Sequence, residues 1–279
     1  MRCVILMNDI GDVPGMQCVH GLSVYTETAH HRLLVDAGQD DRTWENAAAL
    51  GIDLSSVDTL IVSHGHYDHS GGVMSFAQKN PQAAIYLNEL AGRDYWNMRG
   101  EAHYIGIDKA ILALPQTRLL PGDIVTELDP EICIFGGVTG RRLWPEGNRI
   151  LTRRTEDGFV QDTFDHEQYV VVRDAGRSVL IGGCAHNGML NILDRYHELF
   201  GDYPNAVVSG FHMMKNEPYN EVEIATIRET AEELRKLPVL YFTGHCTSLP
   251  AYDIMKPVLG EQLVYFGSGE EILARADLT

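Results

Sequence analysis

The stretch SHGHYDHSGG, residues 63–72, constrains this chain more than any other, because it places three histidines and an aspartate within a few positions. The apolar run VDTLIV stands in front of it, and GGVMSFAQKN, of helical composition, follows it until Pro81. The cluster is therefore predicted to lie where a buried strand leads into a helix, at a place where side chains project into a cleft. Its titratable residues are His64, His66, Asp68 and His69.

The donor types in this cluster indicate a metal site. Imidazole and carboxylate groups suit Zn²⁺ best, with Mn²⁺ or Fe²⁺ as alternatives. In an extended segment, residues two apart point the same way, so His64 and His66 are predicted to bind one ion together. Asp68 and His69 lie beyond a bend and are predicted to reach a second ion. The competing interpretation is a run of solvated turn histidines, which so dense a cluster directly after an apolar strand disfavours.

Four donors cannot complete two ions, so other segments must contribute. Three more strands are predicted to end in a histidine within a polar, glycine-rich turn: LIGGCAH at His186, VVSGFH at His212 and YFTGH at His245. We expect His186 and His245 to be ligands and His212 to assist catalysis, the alternative for each being a buried histidine that only supports its neighbours. His166, in FDHEQY, is a weaker alternative third ligand for the first ion.

Cys184 allows two interpretations. Its thiolate is a potential ligand for zinc, and the preceding Gly182 and Gly183 permit close approach of the backbone. A small buried residue is the other interpretation.

The charge of the chain limits its partners. The formal net charge of −17 argues against a nucleic acid or an anionic membrane as the main partner and leaves a small-molecule anionic substrate as the expectation. One dense basic run, residues 140–154, contains arginines that could face such a substrate, although most are predicted to be solvated. These are Arg141, Arg142, Arg149, Arg153 and Arg154.

Composition and order of elements predict an α/β fold. The 279 residues show no linker or low-complexity segment, so one domain over residues 1–279 is expected, as a monomer or a homo-oligomer. Five scattered cysteines without a CxxC pair, and no apolar stretch of signal or membrane-spanning length, predict a cytoplasmic protein. Both halves present strands and then helices, which suits two sheets packed together with helices outside. Residues 89–113 are predicted to be mostly helical.

Several stretches resemble one family. SHGHYDH, with the strand before it, resembles the HxHxDH motif of the metallo-β-lactamase superfamily. GLSVYTETAHHRLLVDAGQ, LIGGCAHNGMLNIL, SGFH and TGHCTS are similar to its 7,8-dihydropterin-6-methyl-4-(β-D-ribofuranosyl)-aminobenzene-5′-phosphate synthase-like branch. The resemblance implies an αβ/βα sandwich of two mixed β-sheets flanked by helices, with a binuclear metal site at one edge.

The same resemblance implies roles for individual residues. It places one ion among His64, His66 and His186, the other among Asp68, His69 and His245, and Asp36 behind the ligand loop. The chain departs from the pattern at Cys184, where many hydrolases of the superfamily carry a bridging Asp. Because the spacing from His166 to Cys184 also resembles the usual gap between the third-ligand His and that Asp, the choice between His166 and His186 stays open.

The predicted function is a metal-dependent hydrolase that uses a metal-activated water on a phosphoester or another small anionic substrate. Asp68 is expected to orient the water, and His212 to stabilise developing charge. The alternatives are a synthase-type transferase, as the branch name implies, an iron-dependent oxidoreductase, and a ligand-binding protein that only retains the metal. The sequence alone leaves the substrate and the metal undecided.

Overall fold

Two seven-stranded sheets organise the computed structural model, which describes residues 1–215 and 217–273. The first has the order β18-β1-β2-β3-β4-β5-β8, and the second β17-β16-β15-β14-β13-β10-β9. Numbered along the chain, the strands are β1 (Arg2–Met7), β2 (Ser23–Glu27), β3 (Arg32–Val35), β4 (Thr59–Ile61), β5 (Ala84–Asn88), β6 (Tyr95–Asn97), β7 (His103–Tyr104), β8 (Thr117–Leu120), β9 (Thr126–Glu127), β10 (Ile132–Phe135), β11 (Leu151–Thr155), β12 (Gly158–Gln161), β13 (Tyr169–Asp174), β14 (Arg177–Ile181), β15 (Ala206–Val208), β16 (Leu240–Thr243), β17 (Leu263–Tyr265) and β18 (Glu271–Leu273).

Both sheets mix pairing directions in the same way. In the first sheet, β18, β1, β2 and β3 pair antiparallel, and β3, β4, β5 and β8 pair parallel. In the second, β9, β10, β13 and β14 pair antiparallel, and β14 to β17 pair parallel. Because the carboxyl ends of parallel strands meet at one edge, the loops after β4, β14, β15 and β16 can supply side chains to a common site.

The helices cover the outer faces of the two sheets. They are α1 (Arg42–Ala49), α2 (Tyr67–Ser70), α3 (Val73–Lys79), α4 (Met189–Phe200), α5 (Glu221–Arg235) and α6 (Leu249–Leu259), with 3₁₀ turns at Leu54–Ser56, Lys109–Ala113, Glu146–Ile150, His245–Thr247 and Gly260–Gln262. Asn220 and Glu223 form a capping box at the start of α5.

Alternation along each strand fills three apolar layers. In β1, Cys3 and Ile5 face the core between the sheets, whereas Val4 and Leu6 face the layer under α1 and α3. In the second sheet, Leu180 and Val207 pack in the layer with α4, α5 and α6. The prediction of two sheets packed together with helices outside is therefore confirmed.

The prediction of helix over residues 89–113 is wrong. Part of this segment forms β6 and β7, which join β11 and β12 in a separate sheet of order β12-β11-β6-β7. Leu151 to Arg153 pair with Asn97 to Tyr95, so a partner more than 50 residues away overrides local propensity. An isolated bridge between His66 and Gly106 attaches this small sheet to the histidine loop.

Two C-terminal elements were not predicted. Helix α6 contains Pro257, a residue that normally indicates the end of a helix in a sequence. Strand β18 pairs with β1, so it depends on a partner at the other end of the chain. Over residues 1–215 and 217–273, the structure contains no helix with the length and apolarity needed to cross a membrane.

Candidate metal centre

The HxHxDH stretch follows β4 as predicted. His66 is extended, with φ −109° and ψ 150°, and directly precedes the single turn of α2, which carries Asp68 and His69. The Tyr67 amide donates to the Ile105 carbonyl at 2.9 Å, which fixes this change from extended chain to helix against the small sheet. All four metal-binding candidates of the stretch are buried.

Strand ends of the second sheet bring the other histidines to the same cleft. His186 follows β14, His212 follows β15 and His245 follows β16. His212 and His245 have φ values of 47°, a left-handed conformation that is uncommon outside glycine and is found at functional sites.

His64, His66 and His186 form what we call the first donor set. His64 Nε2 lies 3.0 Å from His66 Nδ1 and 3.3 Å from His186 Nε2. His64 Nε2 is thus the central atom of this set. Donor atoms that all lie within 4.8 Å of one another join His64 and His186 to Cys184, whereas His66 groups with Asp162 and His166. The two short distances to His64 Nε2 are those expected between ligands of one cation that accepts a lone pair from each ring.

Asp68, His69 and His245 form the second donor set. His69 Nε2 lies 3.2 Å from His245 Nε2, and Asp68 Oδ2 lies 3.4 Å from the first of these atoms and 3.3 Å from the second. A tetrahedral ion with bonds of about 2.0–2.1 Å has ligand atoms about 3.3–3.4 Å apart. The second donor set therefore has the dimensions of a tetrahedral metal site.

Outer partners orient four of these rings in the same sense. His69 Nδ1 bonds to Asp36 at 2.6 Å and His245 Nδ1 to Asp9 at 2.6 Å. His64 Nδ1 lies 2.9 Å from Ser63 Oγ, which itself donates to Asp36, and His186 Nδ1 lies 3.0 Å from Asn148 Oδ1. Each ring thus uses Nδ1 outward and presents Nε2 inward, as metal-binding histidines commonly do.

Cys184 lies between the two donor sets. Its Sγ is 3.2 Å from His69 Nε2, and it groups within 4.8 Å both with the second donor set and with His64 and His186. A Cβ on Gly183 would come within 2.1 Å of Ser63 Oγ, so only glycine allows this strand end to approach the histidine loop. Cys184 is a free thiol.

His166 is also buried nearby, but both of its ring nitrogens are engaged. The Gly65 amide donates to Nδ1 at 2.9 Å, and Nε2 bonds to Asp162 at 3.1 Å. No lone pair is left for an ion, whereas His186 directs Nε2 at His64. The geometry favours His186 over His166 as the third donor.

Burial and nearby charges shift the histidine pKa values of the two donor sets in different directions. Burial lowers the pKa of His64 and His186, and lowers the pKa of His66 to about 3. Burial has the same effect on His69, but Asp36 and Asp68 outweigh it and raise the pKa of His69 to about 9. The first set therefore consists of neutral imidazoles, and the second of imidazoles held by carboxylates.

Sequence reasoning missed Asp9 and His20. Asp9 bonds to His20 Nδ1 at 3.0 Å as well as to His245, and His20 Nε2 lies 3.4 Å from Asp68. The available signal was the polar turn NDIGD directly after the buried strand RCVILM, the same pattern that places Asp36 after β3.

A cavity of about 190 Å³ opens above the donor sets. His212 lines it, with its ring 4.0 Å from that of His186, and its buried Nδ1 has no hydrogen-bond partner among the residues described. Of the predicted basic run, Arg142 pairs with Asp194 and Glu233, and Arg149 pairs with Glu146. The lining contains none of these arginines but does contain Arg99, which the sequence reasoning did not single out.

Two archaeal proteins are similar to this chain in sequence. A chain of Methanocaldococcus jannaschii named 7,8-dihydropterin-6-methyl-4-(β-D-ribofuranosyl)-aminobenzene-5′-phosphate synthase is 26% identical over 277 residues, covering 91% of this chain and 89% of that protein. An uncharacterised protein of the same organism, MJ0448, is 27% identical over 199 residues, or 70% and 73% of the two chains.

Solved structures share the fold. Tm1679, described as a metal-dependent hydrolase of the β-lactamase superfamily, superposes with a TM-score of 0.81 at 28% identity, covering 98% of this chain and 99% of its own. Zn²⁺-bound PqqB from Methylobacterium extorquens has a TM-score of 0.61 at 11% identity, with 98% and 100% coverage, which shows the fold alone. The family model of the metallo-β-lactamase superfamily matches residues 17–245, and this chain belongs to that superfamily.

Proposed function

We propose that this protein is a metal-dependent hydrolase that acts on a phosphoester or a related small anionic substrate. The observation that carries the proposal is the common orientation of His64, His69, His186 and His245, each with Nδ1 bonded outward and Nε2 directed at the centre. The first donor set would hold one divalent ion and the second donor set another, zinc being the first choice for these ligands. When bound, such ions lower the pKa of a coordinated water to ~7 and polarise the bond under attack.

The protein's own residues would do the remaining work. The Asp68 carboxylate, at the floor of the cavity, would orient the attacking water and receive its proton. As the water oxygen bonds to phosphorus, the bond from phosphorus to the leaving oxygen breaks. His212 lines the same cavity, with its ring 4.0 Å from that of His186, which supports a role in stabilising the charge that develops.

The likeness to the named synthase favours a second candidate, a transferase at the same site. A hydrolase incorporates an oxygen atom from water into its product, whereas a transferase joins two organic substrates without doing so. Turnover in ¹⁸O-labelled water, followed by mass spectrometry of the product, distinguishes the two.

The test of the proposal begins with elemental analysis of protein purified without chelator. A panel of phosphodiesters, phosphomonoesters, lactones and thioesters is then assayed before and after metal removal and restoration. Zinc or manganese with metal-dependent hydrolysis supports the proposal. Iron with oxygen uptake, or bound metal without hydrolysis of any member of the panel, overturns it.

A further inference from the structure

A second cavity adjoins the one above the donor sets. It has a volume of about 310 Å³, at the lower end of the range of about 300–1,000 Å³ usual for small-ligand sites. The two cavities share Arg99, Gly147, Ile150 and Met214 in their linings, so a ligand at the donor sets can extend into the second cavity. We call this second cavity the side chamber.

The side chamber has an apolar wall suited to a flat ring. Met213, Met214 and Tyr219 line it together with Leu143, Ile150 and Ile227. Methionine thioethers make favourable contacts with aromatic rings and adapt to their shape. The Tyr219 hydroxyl donates to the Met213 carbonyl at 2.6 Å, which holds this part of the wall in place.

Most charges of the side chamber neutralise one another. Lys215 Nζ bonds to both carboxylate oxygens of Glu223, at 2.7 and 2.8 Å, and Arg149 pairs with Glu146. Glu217 lines the chamber and is exposed. Among the lining residues that the structure describes, Arg99 is the one Lys or Arg without an ion pair, and it lies at the junction of the two cavities.

We infer that Arg99 and the side chamber select the substrate: Arg99 binds the anionic group that sits at the donor sets, and the chamber receives an aromatic substituent of the same molecule. The substrate class is therefore an aryl or heteroaryl phosphoester. This inference rests on the proposed hydrolytic function, and it names the substrate class of that site. Arg99 lies in the loop between β6 and β7, so the small sheet acts as the specificity element.

Two phosphodiesters with the same leaving group and charge test the chamber. O-methyl S-methyl phosphorothioate and O-phenyl S-methyl phosphorothioate, both assayed by release of methanethiol, carry no ring other than the one that would enter it. We expect kcat/KM to be at least about 10-fold higher for the phenyl ester, because burial of one aromatic ring strengthens binding by at least that factor. Thr226→Trp, on the face of α5 that lines the chamber, should abolish this preference, whereas Ala225→Trp on the exposed side of the same helix should keep it.

Arg99→Gln tests the anion contact. Loss of a charged hydrogen bond should lower kcat/KM for both diesters about 10- to 100-fold, with Arg99→Lys between the two. Arg154→Gln, on an exposed position of the same small sheet, is the matched control and should have no effect. Equal rates for the methyl and phenyl esters, or an Arg99→Gln variant that matches Arg154→Gln, overturn the inference.

A binding measurement separates this inference from the proposed function. Titration calorimetry of the metal-loaded protein with phenylphosphonate and methylphosphonate requires no turnover. Tighter binding of phenylphosphonate that depends on Arg99 and is lost in Thr226→Trp supports the inference even if hydrolysis fails. Metal-dependent hydrolysis together with equal binding of the two phosphonates supports the proposed function and overturns the inference.

Discussion

The two donor sets differ in what stands directly behind their histidines. In the second set, His69 and His245 each bond to a carboxylate, from Asp36 and Asp9. In the first set, a serine hydroxyl and a carboxamide take that place behind His64 and His186. Carboxylates behind an imidazole make it a stronger ligand and compensate the charge of a buried cation. On the proposal of two ions, we therefore expect the second set to bind its ion more tightly and the first set to exchange its ion more readily.

Removal of a first-set ligand should have the largest effect on activity. His64→Ala and His66→Ala should each lose about one ion per chain, because two remaining protein ligands close a site poorly. The rate of hydrolysis should fall by more than ~10–100-fold, which is the typical cost of losing an outer hydrogen-bond partner of a ligand. His30→Ala, at an exposed position, is the control. Undiminished metal in either variant, measured by elemental analysis, would show that the ligand assignment is wrong.

The choice of third ligand gives the next largest effect. His186→Ala should lose metal from the first set, whereas His166→Ala should retain it, since both nitrogens of His166 are already bonded. His166→Ala should instead lower the free energy of unfolding by about 3–5 kcal/mol, because it leaves Asp162 buried without its partner. Metal content and denaturant melts of both variants decide the matter. Metal loss confined to His166→Ala would reverse the assignment.

At this site, sequence reasoning identified residues that are marked by their immediate neighbours in the chain and missed contacts between residues far apart in the chain. The histidine loop and the strand-end histidines could be predicted because each lies directly after an apolar run that marks a buried strand. Asp9 could not be assigned a partner, because its bond to His245 joins residues 236 positions apart and depends on how the sheets pack. The choice between His166 and His186 required hydrogen bonds, which spacing does not contain.

The fold shows the same limit. Strands such as β13 and β14 were predictable, because the apolar, β-branched runs YVVV and SVLI flank the turn residues Asp174 to Arg177. The structure closes this hairpin with positive φ values at Ala175 and Gly176. Residues 89–113 were not predictable, because β6 is held by pairing with β11 rather than by its own composition.

Exchange of outer partners tests the comparison itself. Asp9→Asn keeps an acceptor for His245 but removes its charge, so we expect the second set to lose about 10–100-fold in metal affinity. Asn148→Ser removes a neutral acceptor from His186, so the first set should lose less than about 10-fold. Competition with a chromophoric chelator measures both affinities, and melting temperatures monitor folding. Equal losses would mean that charge behind the ligands does not distinguish the two sets.

Cys184 should give the smallest effect, because it shares its contacts between the two sets. If its thiolate binds the second ion, Cys184→Ser should lower occupancy of the second set only, and Cys184→Asp should keep two ions by restoring a carboxylate between the sets. If Cys184 is merely a small buried residue, Cys184→Ser should leave metal content unchanged. Cys184→Asp should then destabilise the fold, because it buries a charge that no ion compensates.

The position of the sulfur favours the first case. Cys184 Sγ lies 3.2 Å from His69 Nε2, close to the spacing of two ligands of one ion. The metal-to-protein ratio and the melting temperature of both variants separate the cases. Ligation by Cys184 predicts that Cys184→Ser loses metal while Cys184→Asp stays stable and binds two ions. Two ions and normal activity in Cys184→Ser would leave the second ion to Asp68, His69 and His245 alone.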